Sequence, residues 1–288
     1  MKPKIVAEIG CNHKGDINLA REMIDICKDF CNVEAVKFQK RCNKELLTEE
    51  EYNAPHPVPE NSYGNTYGEH REFLEFSVEQ HLELKEYCEN KDIIYSTSVW
   101  DLTSTKEICS LKPEFIKIPS ATNLNFEIYE YLCSNYEGQI QISTGMTTKE
   151  EIERIVSFFE SKHRNKDLLI YACTSGYPVD FEDVCLYEIN YLKENYSTRV
   201  GGIGFSGHHL GIAVDIAAIT LGSEWIERHF TLDRTWKGTD HSASLEPDGL
   251  RKLSRDIKNV HKSFSLKGKE ILDVEEVQRK KLKWNPKN

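Results

Sequence analysis

The chain has 288 residues, with 37 Lys and Arg against 47 Asp and Glu, a formal net charge of −10, 39% hydrophobic residues and 29% charged ones. That balance is ordinary for a soluble globular protein and argues against nucleic-acid binding, which needs a basic face. No apolar stretch is long enough for a membrane span, MKPKIVAEIG has no apolar core followed by a cleavage site, and nine Cys without a C-x-x-C pair fit free thiols in a reducing cytoplasm.

Eight short β-rich apolar runs can be read in chain order. KIVAEIG (4–10) ends near Glu8, with Asn12 and His13 just beyond. DINLAREMIDICKDF follows as an amphipathic helix, apolar at three- and four-residue spacing, with Asp16 as N-cap. VEAVKFQ (33–39) ends in Lys37 and Gln39. Residues 41–76 then break the rhythm; a connection this long reads either as a functional rim loop or as a solvent-exposed insertion. IIYSTS (93–98) brings Ser96, Thr97 and Ser98, FIKIPS (115–120) brings Lys117 and Ser120, and QIQISTG (139–145) brings Ser143, Thr144 and Gly145. TTKEEIERIVSFFESK is a second amphipathic helix, capped by Thr147 or Thr148, with Glu150 or Glu151 completing a capping box. LLIYACT (168–174) leads to Thr174, Ser175 and Tyr177, and Pro178 restricts Tyr177 to an extended backbone. GGIGFSG (201–207) leads to Ser206, His208 and His209, and WIERHFT (225–231) carries Glu227 and His229, with Asp240 and His241 beyond.

Strand signals alternating with helix signals imply parallel strands and right-handed crossovers. Eight such units in about 250 residues predict an α/β fold of the (β/α)8 TIM-barrel type, the open doubly wound sheet being the structural alternative. No Pro/Gly/Ser-biased linker divides the chain, so 1–263 reads as a single barrel domain and 264–288 as a polar C-terminal tail, either helical or frayed.

In such a barrel the C-terminal ends of the strands form one rim, and the active site sits there. Lys37 and Lys117 stand inside strands, where an ammonium is buried unless it meets an anion. That anion is either a dianionic ligand, hydrogen-bonded by Thr97, Ser120 and Ser143, or a pair of internal carboxylates, Glu8 and one other. His208, His229 and Asp240 form a second group, suited to a borderline divalent cation. Gly202 to Gly207 spell G-x-G-x-x-G out of register with the dinucleotide-binding form, and neither a P-loop nor a G-x-S-x-G elbow is present.

The strings AEIGCNHKG (7–15), KFQK (37–40), IKIPS (116–120), ISTGM (142–146), ACTSGYP (172–178), GFSGHHLG (204–211) and ERHFTLDRTWKGTDHSASLEPD (227–248) together resemble the sialic acid synthase family, the phosphoenolpyruvate-dependent synthases of nine-carbon sugar acids. The resemblance implies a metal-dependent condensation of phosphoenolpyruvate with a sugar aldehyde such as N-acetylmannosamine, on a barrel that forms a homodimer. It implies that Lys37, Thr97, Lys117, Ser120, Ser143 and Ser206 hold phosphoenolpyruvate, and that Gln39, Ser175 and Tyr177 line the site. His208 and His229 would ligate a divalent metal, Mn before Mg or Co, while Glu8 and Asp240 would handle protons and water.

Three positions depart from the family pattern. Gly207 replaces an Asp, Thr122 an acidic residue, and Ser175 an Asn. The family also continues into a small antifreeze-like domain where this sequence ends, which predicts an altered acceptor or a lid supplied by a separate chain. The rival readings are a phosphoenolpyruvate-aldose synthase with a shorter acceptor and a non-catalytic barrel that binds a sugar phosphate or metal.

Overall fold

The computed structural model describes residues 2–284. Eight parallel strands close into a barrel in chain order: β1 (Lys4–Gly10), β2 (Ala35–Lys40), β3 (Ile94–Val99), β4 (Phe115–Ile118), β5 (Gln139–Ser143), β6 (Leu168–Cys173), β7 (Gly202–Gly207) and β8 (Trp225–His229), with β8 pairing back onto β1. Around them run α1 (Ile17–Asp25), α2 (Val78–Asn90), α3 (Leu102–Leu111), α4 (Phe126–Asn135), α5 (Lys149–Ser161), α6 (Glu188–Tyr196), α7 (Ala213–Thr220) and α8 (Pro247–Lys262). The predicted (β/α)8 barrel is what forms.

The caps follow the sequence. Asp16 accepts from the amides of Asn18 and Leu19 at the start of α1, and Thr148 with Glu151 closes the capping box of α5. Each such cap is worth about 1 kcal/mol.

Side chains alternate across a strand, so one parity faces the helices and the other the barrel axis. The outward set, including Ile5, Val36, Phe38, Ile116, Ile142 and Ile226, packs under the helices and is fully buried. The inward set divides by height. Val6, Ala35, Phe115, Leu169, Tyr171 and Trp225 plug the lower interior, whereas Glu8, Lys37, Ser98, Lys117, Ser143, Ser206, Glu227 and His229 line a cavity above them. Gly204 sets the boundary: a Cβ there would lie 2.5 Å from the Tyr171 ring, which spans the barrel and donates its hydroxyl to Gln141 at 2.7 Å.

Buried charge also faces outward through the barrel wall. Arg228 on β8 is completely buried with Asp215 of α7, and it also donates to the carbonyls of His209 and Gly211. This cluster anchors the 207–211 turn behind His208. His209 fills the space that a Cβ on Gly207 would need, with ring atoms 2.8 Å away, so position 207 faces the helix layer rather than the cavity. Asp215→Ala is expected to destabilise the fold by about 3–5 kcal/mol, because it leaves a buried guanidinium without its carboxylate. Urea unfolding checks this; a loss below about 1 kcal/mol would contradict it, since that is the scale of an exposed pair.

Residues 41–76 are not a bare loop. They hold short helices at Asn43–Leu46, Glu49–Asn53 and Tyr67–Leu74 and a 3-10 turn at Pro59–Asn61. The Tyr63 hydroxyl donates to the carbonyl of Lys237 at 2.5 Å, and Gly238 N donates to Asn61 at 3.2 Å, so the segment is tied to the connection after β8. Tyr63 also stacks on Phe73, with ring centroids 4.9 Å apart. Beyond α8, Asp273–Leu282 forms a helix with no buried residue; residues 285–288 of the expected tail lie outside the described residues. No helix among the described residues is long and apolar enough to cross a membrane.

Candidate active site

The cavity at the C-terminal mouth of the barrel encloses about 430 Å³. Its floor is a chain of alternating charge. Lys37 pairs with Glu8, donates to Ser98 Oγ at 2.6 Å, and lies 3.8 Å from Glu227. Lys117 pairs with the same Glu227 oxygen at 2.8 Å and sits 3.7 Å over the Tyr171 ring. Ser206 donates to the other Glu227 oxygen at 3.0 Å, and Gln39 donates to Glu8 at 3.0 Å. The anions that the two buried lysines require are therefore present in the chain itself, as Glu8 and Glu227.

The two carboxylates are not equivalent. Burial opposes ionisation of Glu227, but the ammonium groups of Lys117 and Lys37 outweigh it and hold its pKa below the usual carboxylate range. Glu8 is pushed up to about 7, first by burial and then by the nearby Glu227, against the pull of Lys37. A carboxyl that titrates near neutrality can give or take a proton during a reaction.

A stability prediction follows from that shift. Between the unfolded value of 4.5 and about 7 the folded state binds the Glu8 proton more tightly than the unfolded state does. This contribution is complete below 4.5 and is lost as pH rises through about 7. Glu8→Gln has no such proton to lose, so its stability relative to the parent is expected to be greater at pH ~8 than at pH ~5. Urea unfolding of both proteins at the two pH values is the check; an unchanged difference would contradict the raised value.

Hydroxyls gather on the opposite wall. Gly145 N donates to Ser120 Oγ at 3.0 Å, and Ser143 and Ser175 line the same side. A Cβ on Gly145 would lie 2.4 Å from Ser175 Oγ and 2.8 Å from Ser120 Oγ, so only glycine lets these groups converge. Three hydroxyls and an amide beside two ammonium groups suit a phosphorylated, carboxylated ligand.

At the mouth, the rings of His208 and His229 are 5.4 Å apart, with Tyr177 packed 4.4 Å from the first and edge-on to the second. His208 Nδ1 lies 2.8 Å from the carbonyl of Thr174, which can only accept, so Nδ1 carries a hydrogen. His229 Nδ1 is buried with no hydrogen-bond partner among the described residues and lies 3.8 Å from Asp240. Burial lowers the His229 pKa to about 4 despite Asp240, whereas Asp240, with His229 and the guanidiniums of Arg41 and Arg71 overcoming its burial, stays below the usual range. Two imidazoles, of which His229 is held neutral with an orphaned nitrogen, and a carboxylate fit a borderline divalent cation. No group of three or more His, Cys, Asp or Glu among the described residues is arranged to enclose one.

Of the residues expected from the sequence, Glu8, Lys37, Gln39, Lys117, Ser120, Ser143, Ser175, Tyr177, Ser206, His208, His229 and Asp240 line this one cavity. Thr97 does not, which corrects the expectation that its hydroxyl faces a ligand. It lies on the outward face of β3 and donates to the Tyr95 hydroxyl at 2.7 Å, while Ser98 takes the inward position. Ser98 and Glu227, named at strand ends but given no role in the sequence, line the cavity too, as do Arg41, Trp100 and Cys173, which were not expected there. Arg41 stacks 3.3 Å over Trp100 and donates to Gln39 at 2.8 Å. Of the three departures, Ser175 lines the cavity, whereas Gly207 and Thr122 do not.

Residues 23–269 match the NeuB family. The chain is 37% identical over 283 residues to the N-acetylneuraminate-9-phosphate synthase of Homo sapiens, covering 96% of this chain and 76% of that protein. It is 32% identical to the N,N'-diacetyllegionaminic acid synthase of Campylobacter jejuni, covering 91% and 78% respectively. The crystal structure of N-acetylneuraminic acid synthetase from Leptospira borgpetersenii serovar Hardjo-bovis, in complex with citrate, superposes with a TM-score of 0.81 at 30% identity over 97% of this chain and 92% of that one.

Proposed function

The chain belongs to the NeuB family and is an enzyme of it, and from that premise we propose that it condenses phosphoenolpyruvate with a sugar aldehyde of the N-acetylmannosamine type, giving a 2-keto-3-deoxy nonulosonic acid and phosphate. The observation that carries this reading is the cavity floor, where Lys37 and Lys117 converge on one Glu227 oxygen beneath Ser120, Ser143 and Ser206.

The steps assign themselves to the residues present. Lys37 and Lys117 hold the carboxylate and phosphate of phosphoenolpyruvate, with Ser98, Ser120, Ser143 and Ser206 donating to its oxygens. Fixed donors of this kind stabilise charge as it develops without having to reorient. Gln39, Ser175 and Tyr177 flank the aldehyde. C3 of phosphoenolpyruvate attacks the aldehyde carbon, and the aldehyde oxygen takes a proton to become a hydroxyl. Water adds at C2, losing a proton, and phosphate departs with its bridging oxygen to leave the ketone. Glu8 steers that water and accepts its proton, as its pKa near 7 allows. His208 and His229 would hold a divalent cation, Mn foremost, whose chemistry is Lewis-acid polarisation of a carbonyl. Asp240 orients the water and sugar hydroxyls beside His229.

The test is product analysis with phosphoenolpyruvate labelled in its bridging oxygen. The expected result is one keto acid three carbons longer than the aldehyde, with the label recovered in phosphate. Label retained in the keto acid, or no longer product, would contradict the mechanism. The same reading carries a homodimer and cytoplasmic residence. The relatives' names differ in the sugar half of the product, so the acceptor end is where this chain's own residues decide.

A further inference from the structure

Arg41 lines the cavity without a part in the condensation steps. It follows β2 directly, and the chain fixes it from both sides. Its own amide donates to Glu75 at 2.9 Å, and the next amide, of Cys42, donates to Asp101 at 2.7 Å. Glu45 in turn accepts from the amides of Leu102 and Thr103, at 2.9 and 3.1 Å. Residues 41–45 are thereby docked on 100–103, and the Arg41 guanidinium lands 3.3 Å over the Trp100 ring. Stability does not explain this placement. Arg41 Nε and Trp100 Nε1 are both buried with no hydrogen-bond partner among the described residues, each a cost to folding.

What the guanidinium holds is an amide rather than a carboxylate. Burial, with Arg71 nearby, lowers the Arg41 pKa to about 10, which leaves it a cation near neutrality and a donor only. Its Nη2 donates to Gln39 Oε1 at 2.8 Å. The other neighbour of that oxygen is Cys11 Sγ at 3.7 Å, a weak donor. A glutamine amide can sit either way round, because a half turn of its last torsion exchanges oxygen for nitrogen. Arg41 decides between the two. Reversed, the NH2 would meet the guanidinium, donor against donor, and Oε1 would meet the carboxylate of Glu8. In the orientation present, Nε2 donates to Glu8 Oε1 at 3.0 Å. The backbone leaves room for this at Gly10, whose φ is +56°. A Cβ there would lie 3.0 Å from Gln39 Nε2, 3.2 Å from Glu8 Oε1 and 3.7 Å from Asp240 Oδ2. Polar atoms of three site residues thus meet over one glycine.

We propose that Arg41 is a positioning residue for the condensation: held on Trp100, it locks the Gln39 amide with its NH2 end toward Glu8 and Asp240, one N–H on Glu8 and the other offered to the acceptor sugar. The inference rests on the condensation proposed above. Arg41 acts through Gln39 and touches neither reactant. Its removal therefore costs rate only where Gln39 is present to be misaligned. The floor formed by Lys37, Lys117 and Glu227 keeps its own contacts, so the hold on phosphoenolpyruvate persists.

The experiment is a double-mutant cycle of Arg41→Met and Gln39→Leu in the full chain. Phosphate release from phosphoenolpyruvate is followed with N-acetylmannosamine or its 6-phosphate as acceptor, and circular dichroism checks folding. Arg41→Met alone is expected to lower kcat on the order of 10- to 100-fold, the cost of misplacing a reacting group by about 1 Å. The KM for phosphoenolpyruvate is expected to stay within about threefold of the parent, since a lost transition-state contact falls on kcat. In the Gln39→Leu background the same substitution is expected to change kcat by about twofold or less, because residues that act as a unit are not additive. Losses that multiply overturn the assignment, and so does a loss carried by the KM for phosphoenolpyruvate or parent-like turnover by folded Arg41→Met. If Arg41→Met does not fold, Trp100→Leu, which removes the shelf and keeps the guanidinium, takes its place in the cycle with an expected loss of about 3- to 10-fold and the same non-additivity. Those outcomes leave the condensation standing. A parent that releases no phosphate with either sugar overturns the condensation and this inference with it.

Discussion

Lys117→Met is expected to lower kcat/KM for phosphoenolpyruvate by about 10³-fold, the loss seen when a fixed donor to developing charge is removed. Met keeps the aliphatic stem above Tyr171 and removes only the ammonium. Two things then happen on the cavity floor. The ligand loses one of two cations, and Glu227 is left with Lys37 at 3.8 Å and Ser206 at 3.0 Å. A buried carboxylate with a weaker partner resists ionisation, and the charge chain that aligns Lys37 loosens. Lys117→Arg should not restore activity, because the bulkier guanidinium has no room in the closed barrel interior, where Lys117 is 1% exposed and meets Glu227 at 2.8 Å. Steady-state phosphate release and calorimetric titration with phosphoenolpyruvate are the measurements, with circular dichroism to confirm folding. Affinity and rate within about threefold of the parent would contradict the role, since that is under 1 kcal/mol.

His229→Ala is expected to reduce turnover by about 10³-fold or more, since Lewis-acid stabilisation is worth several kcal/mol. The residue is buried, neutral and free at Nδ1, and its removal takes one of two imidazoles from the mouth. The same loss is expected when the parent is treated with a chelator, and adding Mn should restore the parent but not the variant. Calorimetry should show weakened Mn binding in the variant, a readout independent of turnover. Parent-like phosphate release by the variant in chelator would contradict the assignment of His208 and His229.

The barrel was legible because each strand is buried on both faces and reads as a short apolar run. The first run coincides with β1, and the others differ from their strands by a residue or two, because strand ends are set by pairing with neighbours rather than by composition. Lys37, Lys117 and His229 stood out because charge or imidazole is anomalous inside such runs. Thr97 was misplaced because STS at 96–98 shows no polar alternation. Only the register of Gln39 opposite Ser98 reveals which hydroxyl turns inward. Glu227 could have been found by parity, two residues before His229 on the same strand face. The helices within 41–76 escaped because they are short and lack apolar periodicity, although Thr48 followed by Glu51 is a capping signature, realised in the structure. The tie between the 41–76 segment and the connection after β8 has no local signal at all: Tyr63 and Lys237 meet across 174 residues.

The departures at 207 and 122 carry less weight than their place in the sequence suggested. Gly207 faces His209 and the helix layer, and Thr122 stands outside the cavity wall. The floor of the site is unaffected by either.

The most direct test is phosphate release from phosphoenolpyruvate by the purified chain with Mn, with and without a sugar aldehyde. The account predicts release only when both are present, one phosphate for each keto acid formed. Equal release without the aldehyde, or none with any N-acetylated hexosamine or its phosphate, would contradict it.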